Sequence, residues 1–172
     1  TTIAKLILRI EPPTSGQIRF DGRDVARLTG KDLLAYRRSV QAVFQDPFGS
    51  LSPRMRVADI VGEILEIHTT LTPAAITARV SEVMELVGLR PDQARLFPHE
   101  FSGGQRQRIA IARALAADAR LLVLDEAVSA LDVSIRAQVI TLLEQLQTDL
   151  GVSYLYIGHD LATVSHLAHR VG

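Results

Sequence analysis

The sequence contains no cysteine and no tryptophan, and aromatic residues make up only 5% of its 172 residues. Without cysteine there is neither a disulfide framework nor a thiolate metal site. An excess of one charge is also lacking, because 19 Lys and Arg residues balance 19 Asp and Glu residues. Net charge therefore does not favour nucleic acid or an anionic membrane surface as a partner. No apolar run approaches the roughly 18 residues that a membrane span needs, and no segment has the pattern of a signal peptide.

The hydrophobic residues that are present follow a regular order. They make up 47% of the chain, which is enough for one globular domain with a real core. Apolar strand patterns at residues 40–44, 121–124 and 152–157 alternate with helical patterns. This alternation predicts an α/β fold, with a parallel sheet and helices on its faces. The predicted helices cover 2–10, 32–38, two segments within 57–89, 102–117, 132–150 and 161–169.

No strand pattern occurs between Gln45 and Ser102. We therefore expect an inserted helical subdomain over 46–101, with core parts at 1–45 and 102–172. Within the insert, Thr72-Pro73 is the expected start of a helix, and Gly88 is its expected end.

Two carboxylates follow the apolar run Leu121–Leu124, namely Asp125 and Glu126. The carboxyl ends of parallel strands are where α/β sheets bind ligands. Asp125 is suited to hold Mg²⁺, and Glu126 is suited to position and deprotonate an attacking water. Taken alone, the pair fits equally well two solvated acids at the end of a strand.

A turn of Ser102-Gly103-Gly104-Gln105 opens the helix that precedes this strand. Ser102 is a good helix cap, but two glycines are not needed for capping and they cost backbone entropy. They do let the backbone approach a phosphate at the positive end of the helix. A plain glycine-rich cap is the competing interpretation.

Polar side chains follow the other two predicted strands as well. Gln45 comes directly after the first strand, and its amide oxygen can contact Mg²⁺. His159 comes after the last strand and Gly158, where it can donate a hydrogen bond to a phosphate oxygen. Alone, each of these two residues is weak evidence for a site, because an isolated Gln or His after a strand is usually a surface or capping residue.

The order and spacing of these motifs resemble the ATPase subunit of an ATP-binding cassette (ABC) transporter over essentially the whole chain. The resemblance implies a P-loop NTPase-type sheet with RecA-like core parts. It makes Gln45 the Q-loop glutamine and His159 the switch histidine. It also implies that residues 102–105 contact the γ-phosphate of ATP held by a second subunit, and that Ser129-Ala130-Leu131-Asp132 forms the D-loop across that dimer interface. Asp132 is at the same time a good N-cap for the next helix.

A P-loop, G-x-x-x-x-G-K-S/T, is missing from these residues. By resemblance, Thr1 matches the hydroxyl that binds Mg²⁺ and Thr2 the next phosphate contact, with the lysine expected directly before Thr1. We therefore expect the chain to be a piece that begins at the end of this motif. We also expect the 172 residues alone to bind ATP poorly and to hydrolyse almost none.

The stretch Val43–Arg54 and the segment Glu11–Gly16 resemble the importers of oligopeptides, dipeptides and nickel. That resemblance implies a bacterial import ATPase that uses ATP and Mg²⁺ and forms a homo- or heterodimer. It would associate with permease subunits at the cytoplasmic face of the inner membrane, through residues 48–54 and the helical subdomain, and would not bind nucleic acid. Two alternatives stay open: an ABC ATPase of DNA repair or translation, and a non-catalytic interaction module.

Overall fold

The computed structural model describes residues 2–172, apart from the side chains of residues 47 and 48. Its helices are α1 (Thr2–Ile7), α2 (Gly30–Ser39), α3 (Pro47–Ser50), α4 (Val57–His68), α5 (Pro73–Leu86), α6 (Gly103–Ala116), α7 (Val133–Leu150) and α8 (Leu161–Leu167). Its strands are β1 (Arg19–Phe20), β2 (Arg23–Asp24), β3 (Val40–Phe44), β4 (Leu121–Asp125) and β5 (Ser153–Ile157). Short 3₁₀ turns lie at Val25–Arg27, Pro91–Arg95 and Pro98–Glu100.

The central sheet is parallel and has the order β3-β4-β5. The carboxyl ends of the three strands are aligned, so that Phe44 lies opposite Asp125, and Asp125 lies opposite Ile157. The predicted α/β fold is confirmed.

Successive side chains of β4 point to opposite faces of the sheet, and this divides the core into two layers. Leu122 and Leu124 belong to a cluster that also contains residues of α4, α5, α6 and α7. Val123 points to the other face, into a cluster with Ala4 of α1 and Tyr36 of α2. All three β4 residues are fully buried. Helices therefore cover both faces of the sheet, as the apolar strand patterns predict.

The segment between β3 and α6 consists of helices α3, α4 and α5 and two 3₁₀ turns. Thr72 caps α5 by accepting the Ala75 N–H at 3.3 Å, and Gly88 adopts a left-handed φ of 72° just beyond the helix. The helical prediction for this segment is thus confirmed. Its status as a separate subdomain stays a prediction, and its buried residues share one cluster with β4.

The first helix is shorter than the sequence predicts. It ends at Ile7 instead of Ile10, because Arg9 takes a left-handed φ of 55°. From there the Arg9 guanidinium donates to the backbone carbonyls of Ala26 and Leu28, which bonds this loop to the turn after β2. The alternation of polar and apolar residues over Gln17–Phe20 favours a strand there, and the strand that forms is limited to Arg19–Phe20, which pairs with β2.

No helix within residues 2–172 combines the length and the hydropathy that a membrane span requires.

Candidate functional site

Three of the predicted site residues follow sheet positions that pair with one another. Gln45 follows Phe44, Glu126 follows Asp125, and Gly158-His159 follow Ile157. Since the three strands are parallel and in line, these residues all leave the sheet at its carboxyl edge. Asp125 is buried on its strand, whereas Gln45 is exposed. The predicted grouping of polar groups at this edge is what the topology produces.

Glu126 has an unusual backbone. Its φ is 53°, in the left-handed region that a glutamate rarely adopts. Its N–H donates to the Ile157 carbonyl at 2.8 Å, which ties it to β5. Its carbonyl accepts the Ser129 N–H at 3.0 Å and the Ser129 hydroxyl at 2.9 Å. Such a conformation costs of order 1–3 kcal/mol and is typical of functional sites.

The side chains of Glu126 and His159 face each other just beyond the carboxyl ends of β4 and β5. Glu126 Oε1 lies 3.5 Å from His159 Nδ1, and the two side chains are 30% and 76% exposed. They border a small pocket of about 40 Å³ that Ser129, Tyr156 and Gly158 also line. Burial raises the pKa of the Tyr156 phenol, so that Tyr156 lines the pocket as a neutral group.

Gly158 has a steric reason to lack a side chain. A Cβ at this position would lie 2.5 Å from a ring carbon of Tyr156. The chain can therefore pass close over the ring on its way to His159.

The turn at residues 102–105 forms a reciprocal cap on α6. Ser102 Oγ accepts the Gln105 N–H at 3.3 Å, and Gln105 Oε1 accepts the Ser102 N–H at 3.0 Å. The Gln105 side chain is thus held by its own helix terminus. This is the capping geometry of the competing interpretation. The cap uses the N–H groups of Ser102 and Gln105, so the turn's N–H groups that it does not use are those of Gly103 and Gly104, at the positive end of a 14-residue helix.

The two glycines of this turn differ in their surroundings. A Cβ on Gly104 would lie 2.3 Å from Cγ2 of Ile135 in α7, so Gly104 is needed for close helix packing. A Cβ on Gly103 would meet only Leu131 Cδ2, at an ordinary 3.9 Å. Packing therefore explains Gly104, and it does not explain Gly103.

The loop 129–132 lies between the glycine turn and the acid pair. Leu131 Cδ2 lies 3.9 Å from the position that a Cβ on Gly103 would take, and Ser129 donates a hydrogen bond to the Glu126 carbonyl. Asp132 caps α7 by accepting the Ile135 N–H at 3.0 Å, which confirms its capping role. Its predicted role in nucleotide binding stays a prediction. Thr2 begins α1 and is exposed, and Thr1 lies outside the described residues.

Oxygen donors at the carboxyl edge suit Mg²⁺ in kind. The donors are the carboxylate of Asp125, the last residue of β4, and the amide of Gln45, which directly follows Phe44, the β3 partner of Asp125. No group of three or more His, Asp or Glu side chains that could hold a metal occurs within the described part of the chain. Protein Mg²⁺ sites commonly use only one or two side chains, together with substrate phosphates and water. The donor set therefore fits a magnesium ion that arrives with a nucleotide.

The model of the ABC transporter family matches residues 1–129. The chain belongs to the ABC transporter family. The match covers the predicted motif positions Thr1-Thr2 and Gln45, the turn at 102–105 and the acid pair.

Curated relatives match over the full length of this ABC chain. It is 48% identical to the oligopeptide transport ATP-binding protein OppF of Bacillus subtilis (strain 168) over 174 residues, which is 100% of this chain and 57% of the relative. It is 52% identical to a putative peptide import ATP-binding protein of Brucella ovis over 171 residues, which is 99% of this chain and 54% of the relative. The chain thus spans about half the length of the curated relatives it matches.

Solved ABC structures have the same fold. CbiO1 from Clostridium perfringens, part of the ABC transporter complex CbiONQ, superposes with a TM-score of 0.82 at 29% identity, covering 95% of this chain and 63% of that one. The ATP-binding cassette MJ0796, a dimer in a post-hydrolysis state bound to ADP and Pi, gives 0.81 at 27% identity over 96% and 72%.

Sequence reasoning missed two residues that the ABC fold brings to this site, Arg136 and Asp160. Their side chains form an ion pair of 3.0 Å beside the Glu126–His159 pocket. A hydrogen bond from Thr163 lowers the pKa of Asp160, so that the carboxylate stays charged. One sequence signal was available, because Arg136 is a cation near the positive end of α7, where a helix disfavours it.

Proposed function

We propose that the intact protein is the ATP-binding and ATP-hydrolysing subunit of an ABC transporter. It powers the uptake of peptides or a similar small solute across a bacterial inner membrane. The printed names of the relatives support peptide import. The observation that carries the hydrolytic role is the strand register that sets Gln45, the acid pair and His159 at one edge of the sheet.

Within this function Glu126 acts as the general base. Its carboxylate is partly buried, next to His159 at 3.5 Å. A carboxylate in such a place can orient a water and take its proton. His159 then donates a hydrogen bond to the terminal phosphate and is itself kept in place by Glu126.

Asp125 and Gln45 would hold a magnesium ion together with the phosphates, and Thr1 would add a hydroxyl. When bound, Mg²⁺ neutralises charge that develops on the phosphoryl oxygens. Asp125 suits this task because it is the last residue of a buried strand and so has a fixed position.

The glycine turn acts on nucleotide held by a second ATPase subunit. Its helix end is positive, and Gly103 leaves the backbone open to an anion. The dimer described for the cassette MJ0796 supports a two-subunit arrangement.

Residues 46–101 are proposed as a helical subdomain that contacts permease subunits. Residues 48–54, within this segment, form part of the proposed contact surface. The protein would then lie peripherally at the cytoplasmic face of the membrane. In this arrangement, closure around two ATP molecules moves the permeases.

The test is transport by the full-length protein with its permease subunits in proteoliposomes. We expect peptide uptake that requires internal ATP and Mg²⁺ and stops when Mg²⁺ is chelated. ATP hydrolysis stimulated by DNA or ribosomes instead of permeases would favour an ABC ATPase of repair or translation. Failure of the full-length protein to bind ATP would favour a non-catalytic module.

A further inference from the structure

Arg136 is the centre of a hydrogen-bond network at the edge of the site. Its side chain is 27% exposed and reaches back over the start of α7. Nη1 donates to Asp160 Oδ2 at 3.0 Å, and Nη2 donates to the carbonyls of Leu131 at 3.1 Å and Ser129 at 3.4 Å. One planar guanidinium thus spans two loops that follow two different strands.

The two carbonyl acceptors of Arg136 belong to Ser129 and Leu131, which connect it to the acid pair and to the glycine turn. Ser129 holds the strained Glu126 through two hydrogen bonds to its carbonyl. Leu131 lies beside Gly103 of the turn, because a Cβ placed on Gly103 would be 3.9 Å from Leu131 Cδ2. A shift of the loop 129–131 therefore changes the support under Glu126.

The carboxylate acceptor of Arg136, Asp160, connects it to His159. Asp160 is the next residue, and it also accepts the Thr163 hydroxyl at 2.9 Å and the Ala162 N–H at 3.1 Å. Thr163 is buried, so α8 fixes the position of this carboxylate. The backbone of His159 is thus connected to Arg136 through one residue.

Stability alone does not account for Arg136. Its Nε is buried without an acceptor among the described residues, which is an unfavourable state for a donor. It also lies near the positive end of α7, and a partly exposed ion pair adds little stability. What the guanidinium supplies is geometry, because its fork holds several acceptors at fixed separations.

We propose that Arg136 is a positioning residue that sets Glu126 relative to His159 and couples this setting to the glycine turn through Leu131. The proposal rests on the ATP hydrolysis proposed above. It assigns the role to the fork of the guanidinium, since a single ammonium group cannot bridge the same three acceptors.

The experiment compares Arg136→Met, Arg136→Lys, Asp160→Asn and the double variant Arg136→Met/Asp160→Asn in the full-length protein. Asp160→Asn keeps a good cap for α8 but weakens the pair with Arg136. Arg120→Met is the matched control, because Arg120 is an exposed arginine that pairs with Asp21 at the opposite end of β4. The readouts are kcat and KM for MgATP, with the melting temperature as a check on folding.

We expect kcat to fall about tenfold or more in Arg136→Met, with KM nearly unchanged, because small misplacements of catalytic groups are costly. Arg136→Lys should not restore kcat, and the double variant should be no worse than Arg136→Met. If Arg136→Met does not fold, Asp160→Asn carries the test with the same expected split.

A wild-type kcat in Arg136→Met, full rescue by lysine, or additive losses in the double variant would each overturn the proposal while ATP hydrolysis stands. Absence of hydrolysis in the wild type and in Arg120→Met would overturn the proposed function and this inference together.

Discussion

At the scale of single residues, the backbone of Glu126 distinguishes it from the other acids at this edge. The left-handed φ of 53° is held by Ile157 on one side and Ser129 on the other. Asp125 needs no such device, because it is still part of the strand. The neighbouring carboxylates therefore have different orientations, which suits the separate roles of metal ligand and base.

Replacing Glu126, the proposed base, should strongly reduce turnover and leave binding intact. In Glu126→Gln the amide keeps the shape of the side chain but cannot take a proton. We expect ATP hydrolysis by the full-length protein to fall about 10²–10⁴-fold, with nucleotide affinity unchanged. Glu144→Gln is the control, since Glu144 lies away from the pocket on α7 and pairs with His166. A Glu126→Gln protein that still hydrolyses ATP at the normal rate would refute the assignment.

The strained backbone gives a second prediction, on stability. Asparagine tolerates the left-handed region better than glutamate. We expect Glu126→Asn to raise the free energy of unfolding by up to about 1 kcal/mol while it abolishes hydrolysis. Denaturant unfolding of the full-length protein measures the first effect. An unchanged or lower stability would mean that the backbone of Glu126 carries no strain.

At the scale of elements, the contact between α6 and α7 depends on one missing side chain. Gly104 lies against Ile135, so the start of α6 approaches α7 more closely than an alanine would allow. This contact sets the glycine turn beside the loop 129–132. The element that presents the turn and the loop that supports Glu126 are thus packed together.

Gly104→Ala should separate these helices. A Cβ at 2.3 Å from Ile135 cannot be accommodated without a shift, and we expect a loss of about 1–3 kcal/mol in the free energy of unfolding. The second change Ile135→Ala should recover part of this loss. Gly103→Ala is the matched control, because its Cβ has room. It should leave stability unchanged and lower ATP hydrolysis, and equal destabilisation by both alanines would contradict the packing argument.

A pH-dependent contact joins the β1–β2 turn to the start of β4. Hydrogen bonding by the Arg120 guanidinium holds the pKa of Asp21 below its ordinary value of 3.8. A lowered carboxyl pKa gives stability that is present above 3.8 and is lost as the pH falls through the folded-state pKa. We expect Asp21→Asn to be slightly less stable than the wild type at neutral pH and equal to it in strong acid. Arg120→Met should remove the same pH dependence in unfolding experiments, and a difference that persists in acid would contradict this origin.

At the scale of the whole molecule, the sheet separates two hydrophobic clusters of unequal size. The larger one joins α4 and α5 to α6, α7 and β4, and the smaller one joins α1 and α2 to the opposite face. Among the described residues, those of the proposed helical subdomain that are buried and apolar therefore share their hydrophobic core with the sheet. The proposed subdomain should therefore unfold together with the sheet.

Matched core truncations test this cooperativity. Met84 in α5 and Leu124 in β4 are both fully buried in the larger cluster, and each change to alanine should cost about 2–5 kcal/mol. Hydrogen exchange of the full-length protein should show both substitutions lowering protection in α5 and β4 alike. Ile67→Ala is the control, since Ile67 is 57% exposed. Loss of protection confined to α5 in Met84→Ala would instead show an independently folding subdomain.

Local sequence patterns were enough to locate most of the elements and to place the candidate residues after their strands. Apolar runs locate β3, β4 and β5 within about one residue, and caps such as Ser102 and Asp132 mark where helices begin, because these signals are local. The shared edge of Gln45, Glu126 and His159 follows from parallel strands, which the alternating pattern predicts.

Which groups contact one another depends on tertiary packing. The packing of Gly104 on Ile135, the left-handed turn at Glu126 and the bridge from Arg136 to Asp160 all depend on how α6, α7 and β5 meet. Periodicity shows which face of an element is buried, and it does not show which residue of a distant element lies there. These contacts join residues far apart in the chain, so their geometry is set by packing and not by any local pattern.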